Sequence, residues 1–302
     1  MSLIDHSVAK LIPMIPKFIV KKISNRYIAG QNIQAMVVCV QKLNQQGFCA
    51  TIDFLGEVIT QQSQAIDNAN EYIRVLEAIH QNQLDANISI KPTAMGLLLS
   101  DAFCLETIRS IVATAHQYNI FVRIDMEDVS CTQKEIDLLY QLKADYDNVG
   151  LVLQAYLKRT YRDMALMLTD KVNLRLCKGI YRETAEHLVD KAEYDRSAIN
   201  PHFVHHAQNA LAAGNYLAMA THDEVLVEQL TAMIQTSQID KNHYEFQMLL
   251  GVCEPLRDRL KNAGHKVRIY VPYGHDWYGY STRRLKENPK IAGYVFRAVL
   301  GV

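Results

Sequence analysis

From about residue 47 the chain repeats one pattern: a short apolar run, then a longer stretch with apolar positions three and four apart. The short runs are Cys49–Leu55, Ala86–Ile90, Ile120–Ile124, Val149–Gln154, Val172–Cys177, Tyr216–Ala220, Tyr244–Leu250 and Val267–Val271. Their lengths and β-branched content predict strands. Val58–Gln81, Asp101–Tyr118, Thr132–Tyr146, Arg159–Thr169, Asp223–Thr236 and Glu254–Ala263 carry the helical period. Ser100 or Asp101 is placed to cap the second of these. Thr132 and Glu135 spell a T-x-x-E capping box. Glu183–Ala213 is long enough for two helices, with a break at Asn200-Pro201. Strand and helix alternating eight times predict a (βα)8 barrel of the TIM type. A doubly wound sheet fits less well, because no G-x-G-x-x-G follows the first strand. Residues 1–46 read as a helical preface, 47–302 as the barrel domain, and the chain from Asn288 as its closing tail.

Composition narrows the classes. The chain has 302 residues, 49% of them hydrophobic, and no formal net charge. That is enough for one barrel-sized core, and the neutral balance argues against nucleic acid as a partner. The six cysteines form no C-x-x-C pair and read as reduced core thiols of a cytoplasmic protein. Leu11–Val20 is too short, and too interrupted by Pro13, Pro16 and Lys17, to cross a bilayer. It also lacks a signal-peptide cleavage site. Two readings remain for it: a helix packed on the barrel, which is preferred, or a peripheral contact with the inner face of a membrane.

In a (βα)8 barrel the chemistry sits at the carboxyl ends of the strands. Here those ends carry Asp53 and Glu57, Lys91, Asp125 with Glu127 and Asp128, Gln154, Arg175 with Lys178 and Tyr181, and Thr221 with His222. The seventh offers apolar Leu249. Any one of these residues can be a cap or a surface ion pair. Arg175 is different: it interrupts an apolar strand, so it needs an anion or a buried carboxylate. Gln154 also lies in an apolar run. His222 has no second histidine or carboxylate spaced as a metal triad, and neither H-E-x-x-H nor G-x-S-x-G occurs. Two carboxylates suited to glycoside cleavage remain conceivable among Asp53, Glu57, Asp125 and Glu127. A Schiff-base lyase or aldolase using Lys91 or Lys178 is another reading.

The stretch 268–287, RIYVPYGHDWYGYSTRRLKE, begins as a strand, turns at Pro272-Tyr273-Gly274 and becomes helical from about Asp276. Tyr280, Arg283, Arg284 and Glu287 share one face of that helix. Two arginines among tyrosines suit a clamp for a small carboxylate. A solvated, charge-laced helix fits the same pattern.

The strand-end set resembles the proline dehydrogenase family. The matching pieces are TIDFLGE at 51–57, ISIKPTAMG at 88–96, RIDMED at 123–128, LQAY at 153–156 and RLCKGIYRE at 175–183. ATHD at 220–223, YEFQMLLGV at 244–252 and YVPYGHDWYGYSTRRLKENP at 270–289 complete the series in the family's order. The resemblance implies a monofunctional enzyme with noncovalent FAD that oxidises L-proline to Δ1-pyrroline-5-carboxylate and passes electrons to a quinone. A separate pyrroline-5-carboxylate dehydrogenase would then take the product. It also implies that the Arg283/Arg284 helix sits over the barrel mouth. Arg283, Arg284 and Lys91 would hold the substrate carboxylate, with Asp125 pairing with the arginine helix or with Lys91. Tyr270, Tyr280, Leu249 and Tyr181 would enclose the ring. Met126, Gln154, Arg175, Lys178, Gly179, Ile180, Thr221, His222 and Glu287 would meet the FAD, with backbone at Gly179 close to the cofactor. Asp125 and Arg175 would carry the catalytic roles. Ile180 departs from the alanine of many members and would narrow the pocket or shift the flavin slightly. Leu250 replaces the histidine of the longer bifunctional members. The bulk of Tyr270 favours proline over hydroxyproline, the substrate of the related branch.

Overall fold

The computed structural model describes residues 26–56 and 59–281. Eight parallel strands close into a barrel in sequence order, β1 through β8. They are β1 (Cys49–Phe54), β2 (Ala86–Ile90), β3 (Val122–Ile124), β4 (Val149–Gln154), β5 (Leu174–Cys177), β6 (Leu217–Ala220), β7 (Tyr244–Leu249) and β8 (Val267–Tyr273). Closure comes from β1 and β8, paired from Cys49–Arg268 to Phe54–Tyr273. The TIM-type barrel expected from the alternation is the observed fold.

Among the described residues the complete α-helices are α1 (Ile33–Gln45), α2 (Gln62–Gln81), α3 (Asp101–Gln117), α4 (Thr132–Lys143), α5 (Thr160–Thr169), α6 (Asn200–Ala212), α7 (Glu224–Thr236) and α8 (Glu254–Asn262). α1 precedes the first strand and buries Met36, Val37, Val40 and Leu43. α2 shows why the periodic stretches become helices. Ala65, Ala69, Tyr72, Leu76 and Ile79 recur every three or four residues and are buried together. The apolar residues of the strands, among them Ile52, Ile88, Ile124 and Leu176, join the same core cluster as the helices.

Several local expectations need correction. Ser100 does cap α3, accepting from the Phe103 amide. Thr132, however, is already inside α4, behind an N-cap at Cys131 with no side-chain capping bond. Glu135 is fully buried and accepts from the Glu127 amide instead of capping its own helix. α2 begins at Gln62 rather than Val58; the Gln64 side chain accepts from the amides of Thr60 and Gln61 and fixes the start there. Only the second half of Glu183–Ala213 forms an α-helix. Residues 183–195 run as turns, a 3-10 turn spans Arg196–Ile199, and Pro201 sits in the first turn of α6. Proline tolerates that position because its missing N–H has no helical partner there.

β8 also outlasts its predicted end. Pro272 and Tyr273 stay in register with Asp53 and Phe54. The Pro272 carbonyl accepts from the Ala29 amide and the Tyr273 carbonyl from the Leu55 amide, so the strand is supported from both sides. Cys49, Cys104 and Cys131 are buried free thiols, Cys39 and Cys177 are half-buried, and Cys253 is exposed, so not every cysteine is a core thiol. Among the described residues no helix is long and apolar enough to cross a membrane. Leu11–Val20, Glu57, Arg283, Arg284 and Glu287 lie outside the described residues.

Candidate active site

Alternation along each strand sends one set of side chains to the helices and the other into the barrel. In this barrel the inward set is strongly polar. Ser89, Arg123, Asp125, Arg175, Glu245, Gln247 and Arg268 are all buried. Some bond neighbouring strands, as Arg268 does with Glu245 and the Ala50 carbonyl, and others reach across the barrel. Arg175 on β5 reaches Ser89 on β2, and Tyr270 on β8 reaches Asp125 just beyond β3.

Above this layer lies a cavity of about 340 Å³ at the carboxyl ends of the strands. Lys91, Asp125, Met126, Gln154, Arg175, Lys178, Gly179, Ile180, Tyr181, Thr221, His222, Leu249, Tyr270 and Tyr280 all line it. Every residue that the family resemblance assigned to the site and that falls within the described residues is therefore in one place, whereas the strand-end carboxylates Glu127 and Asp128 are not among its lining. The chain is helical over 277–281, and Tyr280 packs with Ile28 and Leu55 while lining the cavity.

Arg175 and Asp125 form the centre. Arg175 Nη1 donates to Asp125 Oδ1 at 2.7 Å, which supplies the buried carboxylate its position demanded. Ser89 Oγ donates to the same oxygen at 2.5 Å. Tyr270 donates to Asp125 Oδ2 at 2.9 Å, and the guanidinium lies 5.4 Å from the Tyr270 ring centre. Burial first, and then the Asp125 charge, push the Tyr270 phenol well above its usual value, so it remains a donor. Arg175 Nε donates to Gln247 Oε1 at 2.5 Å. Among the described residues Arg175 Nη2 is buried without a hydrogen-bond partner.

Lys91 pairs differently from expectation. Its ammonium bonds both oxygens of Asp53, at 2.8 and 2.9 Å, and stands 3.4 Å from the Tyr270 hydroxyl. Asp125 is already engaged by Arg175, Ser89 and Tyr270, which leaves Asp53 as the nearer carboxylate. Tyr72, fully buried on α2, braces this corner through the Ser89 carbonyl at 2.8 Å and the Phe54 amide at 3.1 Å.

The other side of the cavity is built around Lys178. Its ammonium donates to Asp223 Oδ2 at 2.5 Å and to the Arg196 carbonyl at 3.1 Å. Asp223 also caps α7 by accepting from the Leu226 amide. Burial would raise its carboxyl, but the bonds from Lys178 and Leu226 outweigh that and hold it below the usual range. His222 Nε2 accepts from the Leu249 amide at 2.8 Å, so a neutral ring keeps its proton on Nδ1. The Gln154 amide donates to the Glu127 carbonyl at 2.8 Å and ties β4 to the loop after β3.

Gly179 is also required by the fold itself. Its φ is +98°, and a Cβ there would stand 2.2 Å from the Tyr156 ring. The constraint comes from the protein itself. Ile180 beside it is 45% exposed at the cavity lip. Leu250 packs partly buried against the core.

Glu127 and Glu135 do not line the cavity. Thr93 holds Glu127 through its amide and hydroxyl, at 2.9 and 2.6 Å. Burial, the largest cause for both, raises the two carboxyls, Glu135 well above its usual value. Among the described residues the glycosidase reading finds no free pair of carboxylates, because Asp53 and Asp125 are each bound by a cation and Glu127 lies outside the cavity lining.

Reading strand ends alone missed Ser89, Glu245, Gln247 and Arg268. The available signal was polar residues at every second position, as in YEFQML and VRIYV.

Comparison with known proteins bears on the family and the fold. The family profile for Proline dehydrogenase matches residues 37–297. Proline dehydrogenase 1 of Bacillus subtilis (strain 168) is 38% identical over 277 residues, covering 92% of this chain and 90% of that protein. Proline dehydrogenase of Deinococcus radiodurans is 34% identical over 284 residues, covering 92% and 90%. The bifunctional protein PutA of Escherichia coli (strain K12) is 28% identical over 315 residues, 90% of this chain but 24% of that protein. A crystal structure of proline utilization A (PutA) from Bdellovibrio bacteriovorus, inactivated by N-propargylglycine, superposes with a TM-score of 0.82 at 22% identity. It covers 89% of this chain and a third, 33%, of the solved one, and at that identity the likeness speaks to the fold. With the profile spanning most of the barrel and the relatives matched nearly end to end, the chain belongs to the proline dehydrogenase family.

Proposed function

We propose that the protein oxidises L-proline to Δ1-pyrroline-5-carboxylate, the first step of proline breakdown, with FAD as its cofactor and a quinone as the final acceptor. The observation that carries this reading is Arg175. Its guanidinium is held by Asp125 and Gln247 at the cavity wall, yet Nη2 has no partner among the described residues. A buried donor left unused is costly, so a ligand acceptor belongs there.

The remaining donors fit a flavin nucleotide. Gln154, Thr221 and His222 offer polar groups suited to a ring rich in hydrogen-bonding edges, and Lys178 brings a cation suited to phosphate. When bound, the flavin supplies the two-electron acceptor that no side chain provides. Lys91, with Arg283 and Arg284 from the resemblance, would fix the proline carboxylate and so orient the ring. Neighbouring cations also disfavour a protonated ring amine, which keeps its lone pair available. Tyr270, Leu249 and Tyr280 line the cavity and would close around the ring and exclude water. The Tyr270 hydroxyl, tied to Asp125, occupies space that a substrate ring hydroxyl would need, which favours proline over hydroxyproline.

The Schiff-base alternative is the weaker one. Lys91 and Lys178 each stand against a carboxylate, at 2.8 and 2.5 Å, rather than in the apolar pocket that activates such a lysine. The test is direct. Purified protein should be yellow, release FAD on acid denaturation, and bleach anaerobically on addition of L-proline. Colourless protein that is trapped by borohydride with a carbonyl substrate would overturn the proposal.

A further inference from the structure

Arg175 is fixed from below as well as from the side. Its Nε–H, which can only donate, meets Gln247 Oε1 at 2.5 Å. Gln247 Nε2 donates to Glu245 Oε1 at 2.5 Å. Glu245 Oε1 also accepts from Arg268 Nε at 2.8 Å, and Glu245 Oε2 accepts from the Tyr216 hydroxyl at 2.8 Å. Arg268 Nη1 is anchored on the Ala50 carbonyl at 2.7 Å. Every member of this line except Tyr216 is buried.

We propose that Gln247 is a positioning residue for Arg175, and that Glu245, braced by Arg268, sets which way the Gln247 amide faces. This rests on the flavin-dependent reading given above.

The orientation of the amide is dictated by chemistry. A carboxylate can only accept, and an arginine Nε–H can only donate. Placed between the two, the Gln247 amide must turn its NH2 to Glu245 and its oxygen to Arg175. The reverse would set donor against donor and acceptor against acceptor in a buried site. Burial alone would raise the Glu245 carboxyl, but the Arg268 charge and hydrogen bond outweigh it and bring it down to about 2. Glu245 is therefore a permanent acceptor at ordinary pH.

The consequence falls on the guanidinium plane. Gln247 holds Nε, while Asp125 and Ser89 hold Nη1. A guanidinium is planar, so fixing two corners fixes the third. Nη2 is thereby presented in one direction without rearrangement. A preset donor costs no reorganisation when charge develops on its ligand, which is how such groups favour a transition state. Asp125 and Ser89 alone leave the plane free to pivot about Nη1. Gln247 removes that freedom.

The inference is tested with Gln247→Met and with Glu245→Gln. Glu245 Oε1 accepts from both Gln247 and Arg268, so in Glu245→Gln the amide oxygen keeps both bonds and the new NH2 turns to the Tyr216 hydroxyl. Flavin content, flavin midpoint potential, kcat and KM for proline are measured for each protein. Gln247→Met should keep its flavin, lose about tenfold or more in kcat, hold KM within about twofold, and show a more negative midpoint potential. In an Arg175→Met background the same change should cost less than about twofold, because it acts through that arginine. Glu245→Gln, which keeps the acceptor that orients the amide, should hold kcat within about threefold of the parent. Parental kcat and potential in Gln247→Met would overturn the inference. So would an undiminished loss in the Arg175→Met background, or a Glu245→Gln variant as impaired as Gln247→Met. If Gln247→Met does not fold, Gln247→Asn, whose amide falls short of Arg175 Nε, is judged by the same outcomes. A parent that takes up no flavin, or does not oxidise proline, removes the functional reading and the inference together; a working parent with indifferent Gln247 variants removes the inference alone.

Discussion

Asp125 and Arg175 meet across the inside of the barrel, Oδ1 to Nη1 at 2.7 Å, although the strands that carry them are not adjacent. Both are buried, so the pair cannot be exchanged for water. Asp125→Ala leaves the guanidinium charge unpaired and the Tyr270 hydroxyl without its acceptor. Removing one partner of a buried pair costs about 3–5 kcal/mol. Asp125→Asn keeps an acceptor oxygen and should cost clearly less. Urea unfolding followed by tryptophan fluorescence ranks the three proteins. Equal midpoints for Asp125→Ala and the parent would show that the pair does not support the fold.

Gly179 makes a sharper steric prediction. Its φ of +98° and the 2.2 Å approach of a Cβ to Tyr156 act together. Gly179→Ala should destabilise by at least about 1–3 kcal/mol from backbone strain alone, and should shift Tyr156. Thermal unfolding measures the first effect. Combining it with Tyr156→Leu, which clears the ring, should recover part of the loss.

Two buried glutamates should give stability opposite pH slopes. The Glu245 carboxyl lies near 2 in the folded state, against about 4.3 in an unfolded chain. Its contribution is present above the unfolded value and fades as pH falls from about 5 toward 2. Glu245→Gln should be less stable than the parent at pH 6, and the gap should narrow at pH 3. Glu135 is raised instead, by burial first and then by Glu127. Its contribution is complete below about 4.3 and is lost as pH rises toward the folded value. Glu135→Gln should therefore gain on the parent as pH increases from 4 to 8. Parallel stability–pH curves for parent and variants would refute both assignments.

Leu249 separates the pocket from the fold. It is half-buried at the end of β7, with its amide held by His222. Leu249→Ala keeps that backbone bond and removes only the apolar side chain. KM for proline should rise several-fold with the flavin spectrum unchanged. Arg284→Met should behave differently, losing most turnover while the protein stays yellow.

Much of this architecture was written in local alternation, and the exceptions share a cause. Ile88, Ile124 and Leu176 mark strands because apolar side chains must face the helices. Arg123, Glu245 and Arg268 were harder to read, because a charge inside a strand looks like a break until partners arrive from other strands. Arg175 in its apolar strand needs an anion or a buried carboxylate, but only the closed barrel can choose Asp125 for it and give Asp53 to Lys91. Thr132 and Glu135 fitted a capping box by spacing. The box failed because the Glu135 side chain found the Glu127 amide in the core. Residues 183–195 have helix-forming composition but run as turns. Lys158, donating to the Ala185 and Glu186 carbonyls, draws that stretch against the chain after β4.

The polar filling of the barrel has a consequence for how the family can vary. Side chains alternate strictly, so inserting or deleting a single residue within β5 or β7 exchanges the inner and outer sets beyond that point. Arg175 or Gln247 would then face the apolar helix layer, and Leu176 or Met248 would enter the ionic line. One slip would damage folding and chemistry together, with no intermediate sequence that keeps either. Length changes should therefore be confined to the loops, and evolution within these strands should proceed by substitution alone.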